Sequence, residues 1–288
     1  WGSRRTPEGI WSAKKQLTED DGIPHWNPVL LKIPDGTIFL FYKQGKPISR
    51  WYTMYLTSSD NCRSWSRPKE LVPGDAGGRG PVRNKAIILS NGWLLAPASS
   101  EDFLWSMFAD ISKDNGRTWA ASERQNIFHQ GETAATWYNR LLDRSPLRKK
   151  RGVIQPTFWE SAPGHVHALM RSSEGRIYRA ESIDYGQTWS RPEKTELPNN
   201  NSGIDAVKLP NGHVYLVYNP VDKNWGKRYP ISLALSKDDG LSWTKVTDLE
   251  DGCGNSELSY PCIQYEDGCL YITYTRNRTN ISFRILRP

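Results

Sequence analysis

Side chains able to do chemistry fall at a few points of this chain. His25 stands in the stretch Pro24-His25-Trp26-Asn27-Pro28. Imidazole titrates nearest neutral pH, so His25 is a candidate general base; capping its loop is the competing role. Arg83-Asn84-Lys85 precedes an apolar run. Together these groups can neutralise a carboxylate and stabilise developing negative charge. Setting them ahead of Ile87-Ile88 is costly without partners, which favours a substrate-facing role over a surface turn. Glu160, after Trp159, is a second candidate base, or else a solvated carboxylate at a hairpin. Asp205 could orient a substrate hydroxyl, although Asn201-Ser202-Gly203 also reads as a turn. His165 and His167 flank Val166 in a strand and point to one face. With no third ligand near them in sequence, a structural or substrate-contacting pair is expected rather than a metal site. Catalytic Ser/His/Asp motifs, phosphate-cradling Gly-rich loops and calcium loops are absent, so no cofactor is expected.

The elements that must position these groups are read from an internal repeat. Ser58-x-Asp60-x-Cys62-x-Ser64-Trp65 recurs as Ser112-x-Asp114-x-Gly116-x-Thr118-Trp119. Further copies are Ser182-x-Asp184-x-Gly186-x-Thr188-Trp189 and Ser236-x-Asp238-x-Gly240-x-Ser242-Trp243. Asp and Ser bond local backbone N–H groups, Gly supplies positive φ, and Trp pins the turn to the sheet. These turns are structural. Cys62 at the Gly position predicts a strained or differently shaped first copy. Five hairpins run in parallel, turning at Gly36, Gly92, Gly164, Gly212 and Gly268 between alternating apolar residues. A further strand leads into each Ser-x-Asp turn, which gives units of about four short strands. That is the make-up of a propeller blade. Residues 9–14 read as the third strand of an earlier blade lacking its opening strands. The expectation is therefore an all-β, six-bladed propeller over 1–288, with a loop insertion at 128–152.

Composition limits the partners. The chain has 288 residues, 37% of them hydrophobic, with 13 Trp and 13 Tyr to fill a core. Net charge is +7, scattered except for Arg148-Lys149-Lys150-Arg151. No nucleic-acid-binding signature accompanies that run, so nucleic acid is not the expected partner; a mildly basic field suits an acidic glycan. No apolar run is long enough to span a membrane. A disulfide among Cys253, Cys262 and Cys269 is expected, with its pairing open. Sequons at Asn200, Asn277 and Asn280 and an abrupt start at Trp1 suggest a secreted glycoprotein. The oligomeric state is not legible.

The Ser-x-Asp-x-Gly-x-Thr-Trp turn resembles the Asp-box of the sialidase superfamily. HWNPVLLKIPDGTIFLFYK, PVRNKAIILSNGWLL, GVIQPTFWES, LPNNNSGIDAVKLPNG and ELSYPCIQYEDGCLYITYTRNRTNI are similar to its BNR-repeat branch. That branch contains sialidase-like hydrolases, rhamnosidases and rhamnosyl-glucuronate lyases. The resemblance implies three arginines on a sugar carboxylate, a Tyr nucleophile with a Glu base, and an Asp acid. Arg171 matches the second arginine, Arg228 the third and Tyr260 the nucleophile. The base position carries Gln155, and an amide cannot take the phenolic proton. Glu8 falls near the position of the acid, and the first arginine is expected before Trp1. Glu257, three residues before Tyr260, falls on the opposite strand face and is not cast as the base. The implied activity is that of a carbohydrate-active enzyme on a terminal sialic or uronic acid. Its alternatives are a lyase using a His or Tyr base, or a non-catalytic glycan-binding propeller.

Overall fold

A computed structural model describes residues 1–102, 104–127 and 151–288. The expected insertion at 128–152 lies almost wholly outside them, as does most of the basic run. The described residues hold nineteen strands and no α-helix. All five expected hairpins form, and they sort the strands into successive antiparallel units.

The first sheet is β1 (His25–Lys32), β2 (Ile38–Gln44), β3 (Tyr52–Ser58) and β4 (Lys69–Glu70). The second unit is β5 (Ile87–Ile88), β6 (Leu94–Ser100), β7 (Leu104–Ser112) and β8 (Ala120–Ala121). The third is β9 (Arg151–Ala162), β10 (His165–Ser172), β11 (Arg176–Ser182) and β12 (Glu193–Pro198). A short parallel pairing, Leu104↔Arg151 and Trp105↔Gly152, joins these two units into one eight-stranded sheet. Gly152 is required there, because a Cβ would lie 2.2 Å from the Trp105 carbonyl oxygen. The fourth sheet is β13 (Asp205–Lys208), β14 (Val214–Tyr218), β15 (Ile231–Ser236) and β16 (Thr244–Glu250). The last has three strands, β17 (Leu258–Glu266), β18 (Cys269–Arg276) and β19 (Asn280–Leu286).

The core is a series of interfaces between consecutive units. Phe39 and Phe41 of the first meet Leu94, Ala96 and Trp119 of the second. Leu95 and Met107 meet Phe158 and Met170 of the third. Trp159 and Leu169 meet Ala206 and Leu216 of the fourth. Val217 and Leu233 meet Ile263 and Ile272 of the fifth. Between the fifth and first sheets lies a cavity of about 1140 Å³ instead. The ring of sheets is not closed there. The five units leave the count of six open: 1–24 makes only the isolated bridges Gly2↔Lys15 and Arg5↔Trp11, and no strand forms at 9–14.

The Asp-box turns have the expected anatomy. Asp114 Oδ1 accepts from the Thr118 amide at 2.9 Å, and Gly116 N donates to Ser112 Oγ at 2.7 Å. Trp119, Trp189 and Trp243 each return an indole N–H to the turn-glycine carbonyl. Each turn glycine presses on the preceding unit. A Cβ would meet Phe39 from Gly116, Leu95 from Gly186 and Trp159 from Gly240, all within 3 Å. Cys62 adopts the same left-handed backbone, φ 64°, and keeps the bond to Ser58 Oγ at 2.9 Å. It faces the open cavity rather than a preceding sheet, which leaves room for its side chain. The cost appears at Trp65, whose buried indole N–H has no partner.

The cysteine expectation is corrected: all four are free. Cys262 pairs in register with Thr273, four positions from Cys269. At about 3.3 Å per residue that offset is roughly 13 Å, far beyond disulfide reach. The sequon at Asn200 is corrected too. Its side chain is 2% exposed and donates to Lys227 O, whereas Asn277 and Asn280 are exposed.

Candidate active site

Three first strands share one local device. Asn27, Gln155 and Tyr260 all have left-handed φ, between 49° and 54°, and each precedes a proline. Each sits where the ladder slips, at bulges in β1, β9 and β17. Such backbone is rare for non-glycine residues and costs on the order of 1–3 kcal/mol. A bulge re-aims the side chain it carries. All three lie near the start of their strands, at the end of the sheets away from the hairpin turns and Asp-boxes.

Arginines from separate units gather at this end. Tyr260 lies between two guanidinium groups, with Arg83 Cζ 5.6 Å and Arg228 Cζ 5.3 Å from its ring centre. Arg171, at the end of β10, is 5% exposed. It donates from Nε to Asn201 Oδ1 at 2.9 Å, from Nη1 to Gln155 Oε1 at 3.2 Å, and from Nη2 to Asn201 O. Arg83 donates to Asn84 Oδ1, Ile204 O and Pro261 O, and its buried Nε has no partner. Every hydrogen-bond acceptor named for these two is neutral. A guanidinium carries five N–H donors, so among the described residues each retains two, one of Arg83's being the buried Nε. Arg228 differs, because Glu257 Oε1 takes its Nη1 at 2.8 Å. Glu257 also binds Arg278 with both oxygens, at 3.0 and 2.9 Å.

Electrostatics follow from this crowding. Burial pushes the Tyr260 phenol up, but a hydrogen bond from Arg228 and the charges of Arg228, Arg171 and Arg278 outweigh it. The phenol is left below its ordinary value of 10.0. Burial pulls Arg171 down to about 10, against the charge of Glu101, so it remains a cation at neutral pH. Gln155 links the two: its Nε2 donates to Glu101 Oε1 at 2.8 Å while its Oε1 accepts from Arg171.

Asn84, Lys85 and Asp205 lie beside this cluster but are occupied with each other's sheets. Asn84 donates to the carbonyls of Gln155 and Pro156. Asp205, 1% exposed, accepts from Lys85 Nζ at 2.8 Å, Thr157 Oγ1 at 2.8 Å and Ile263 N at 2.9 Å. One carboxylate thus ties the second, third, fourth and fifth units together. Buried to this degree, it presents no open face to the substrate hydroxyl expected of it.

The other sequence candidates lie apart. His25 bonds Thr18 Oγ1 at 3.0 Å, packs on Tyr42 and lines the cavity between the first and fifth sheets. Glu8 is exposed in the turn from Thr6 to Ile10. Glu160 is spent on the far end, accepting from Ser90 N and Oγ and from Gly164 N. It lies five residues along β9 from Gln155, roughly 16 Å away, and is not a substitute base.

Sequence reasoning missed Glu101, because no local signal places a β6–β7 turn against β9. It passed over the Asn-Pro, Gln-Pro and Tyr-Pro dipeptides, which were visible as a recurrence at the start of first strands. It set Glu257 aside as facing away, yet Glu257 reaches the site through Arg228. It also looked for a third ligand near His165 and His167 along the chain. A carboxylate able to play that part, Glu181, lies beside them on the neighbouring strand.

The assembly offers an anion two buried guanidinium groups and a phenol of enhanced acidity. A family model described as BNR repeat-like domain matches residues 1–272. No curated protein sequence matches. Among solved structures, the Hadza microbial sialidase Hz136 superposes with a TM-score of 0.76 at 19% identity, over 99% of this chain and 58% of that one. A Dyadobacter fermentans protein of unknown function gives 0.69 at 19% identity, over 96% and 79%. Trypanosoma rangeli sialidase, in complex with sialic acid, gives 0.65 at 18% identity, over 96% and 47%. The chain thus spans about half the length of the two sialidases.

Proposed function

The chain belongs to the BNR repeat-like family, and from that premise we propose that it is a member of the sialidase superfamily that acts on a terminal acidic sugar of a glycan, with Tyr260 as the reactive group. The sugar carboxylate docks on Arg171, with Arg83 and Arg228 flanking it. The observation that carries this reading is Tyr260 held between guanidinium groups from different sheets, with Arg83 and Arg171 donating directly to neutral acceptors among the described residues. A bidentate anion would complete their donor sets. Nearby positive charge favours the phenolate, the form able to attack an anomeric carbon. The same premise supports a six-bladed closure that uses residues 1–18, and exposed Asn277 and Asn280 support secretion.

The test is release of the aryl group from aryl sialosides, aryl glucuronides and a neutral aryl glycoside. The expected result is turnover of an acidic glycoside only, falling by about 100-fold or more in Tyr260→Phe. Equal turnover of the neutral glycoside, or an unimpaired Tyr260→Phe, refutes it.

A second reading is elimination across C4–C5 of a uronic acid, with Tyr260 as base. Gln155 at the position of the sialidase carboxylate favours it, since a phenolate that abstracts a proton needs no partner base. Its product carries a conjugated double bond and absorbs in the ultraviolet. Glycan binding without either product would make the protein a lectin.

A further inference from the structure

We propose that His165, His167 and Glu181 form a binding site for one divalent transition-metal ion of the zinc class, which enters by displacing the Arg179 guanidinium. The site lies near the β9–β10 hairpin, at the opposite end of the third unit from Arg171. It is independent of the proposed glycan chemistry.

The strand register creates the cluster. His165 and His167 share one face of β10, and Glu181 stands directly across from His167 on β11. The imidazole rings are 4.3 Å apart, centre to centre. One ligand atom from each residue lies within 4.8 Å of the others. His165 Nε2 is 3.0 Å from Glu181 Oε2, and His167 Nδ1 is 3.6 Å from Oε1. Tetrahedral bonds of about 2.0–2.1 Å put neighbouring ligand atoms roughly 3.4 Å apart, so modest side-chain rotations suffice.

The tautomer suits a metal. Arg179 Nη2 donates to His167 Nδ1 at 3.0 Å, so Nδ1 carries the lone pair. The remaining N–H, on Nε2, points to Ser161 Oγ at 2.8 Å. A ligating imidazole is held in this way, with its second nitrogen bonded to an outer partner. His167 is 2% exposed and stacked on Trp159, which fixes its ring. His165 and Glu181 are about one-third exposed, which gives an entry path and room for water on the remaining positions. Two imidazoles and one carboxylate favour zinc-class ions over calcium or magnesium, which take oxygen ligands.

Arg179 already serves as the resident cation, touching Glu181 Oε1 at 2.6 Å as well as His167. It covers the lone pair a metal would use. Affinity is therefore a competition, and removing Arg179 should strengthen binding.

Isothermal titration with zinc chloride on the full chain, cysteines alkylated, tests this. The variants are His165→Ala, Glu181→Gln and Arg179→Gln, with native sheet content checked by circular dichroism. The expected result is one ion per chain, weakened by more than about tenfold in His165→Ala and in Glu181→Gln, and tightened in Arg179→Gln. No binding by the parent overturns the site, as does unchanged binding in His165→Ala and Glu181→Gln. Weaker binding in Arg179→Gln overturns the displacement.

Discussion

Replacing Asp205 by Asn should loosen four of the five units at once. The carboxylate is 1% exposed and receives three donors, from Lys85, Thr157 and Ile263. Asparagine has the same shape but a single acceptor oxygen. Its least costly pose aims the amide N–H at Thr157, whose hydroxyl can rotate to accept. The oxygen then serves Ile263 N and Lys85. What no pose restores is the charge: Lys85, 8% exposed, keeps Ala206 O at 2.7 Å but loses its anion. Stripping one member from a buried ion pair costs about 3–5 kcal/mol. Because the hydrogen bonds can be largely remade, the expected loss is at the lower end, about 3 kcal/mol. Urea unfolding of parent and variant, with the slope checked for constancy, measures it. Lys85→Met with Asp205→Asn removes the stranded charge and should recover at least half of the loss. A loss under about 1 kcal/mol for Asp205→Asn, or a double variant less stable than the single, refutes the argument that this pair fastens the sheets.

Tyr260 is held below its ordinary value of 10.0, with Arg228 the principal lowering influence. If the phenolate reacts, the rising limb of log kcat/KM against pH should lie below pH 10.0, and Arg228→Met should move it upward; an unmoved limb assigns the limb to another group. Hydrogen bonds from Thr118 hold Asp114 at about 2, and those from Ser242 hold Asp238 at about 2, against an ordinary 3.8. A depressed carboxyl stabilises the fold above its unfolded value and loses that contribution as pH falls through the folded one. Melting temperature should therefore drop between pH 3.8 and about 2, and less steeply in Asp114→Asn with Asp238→Asn than in the parent. Parallel curves count against that role.

Local signals were legible where a residue acts through its own backbone. Turn glycines at Gly36, Gly92, Gly164, Gly212 and Gly268 all take the positive φ the hairpins need. Cys62 was recognisable as an intruder for the same reason. Arg171, Arg228 and Tyr260 could be named through their resemblance to a family, and the structure gathers them at one end. Residues whose role depends on cross-sheet register were not legible. Glu160 was legible as a hairpin carboxylate, five residues along β9 from Gln155, but not as the group that Ser90 of the second unit binds. Asp205 was taken for a substrate contact because nothing local reveals that Lys85, Thr157 and Ile263 converge on it. Glu181 escaped notice because it meets His167 across β11 rather than along β10.

The residue-proline kink at 27, 155 and 260 separates what a strand displays from what holds it in place. The backbone bends alike with Asn, Gln or Tyr at the tip, so the bend does not depend on one side-chain type, and the ladder resumes beyond each kink. New ligand preference can therefore arise from substitutions at three sockets, without renegotiating the packing between sheets.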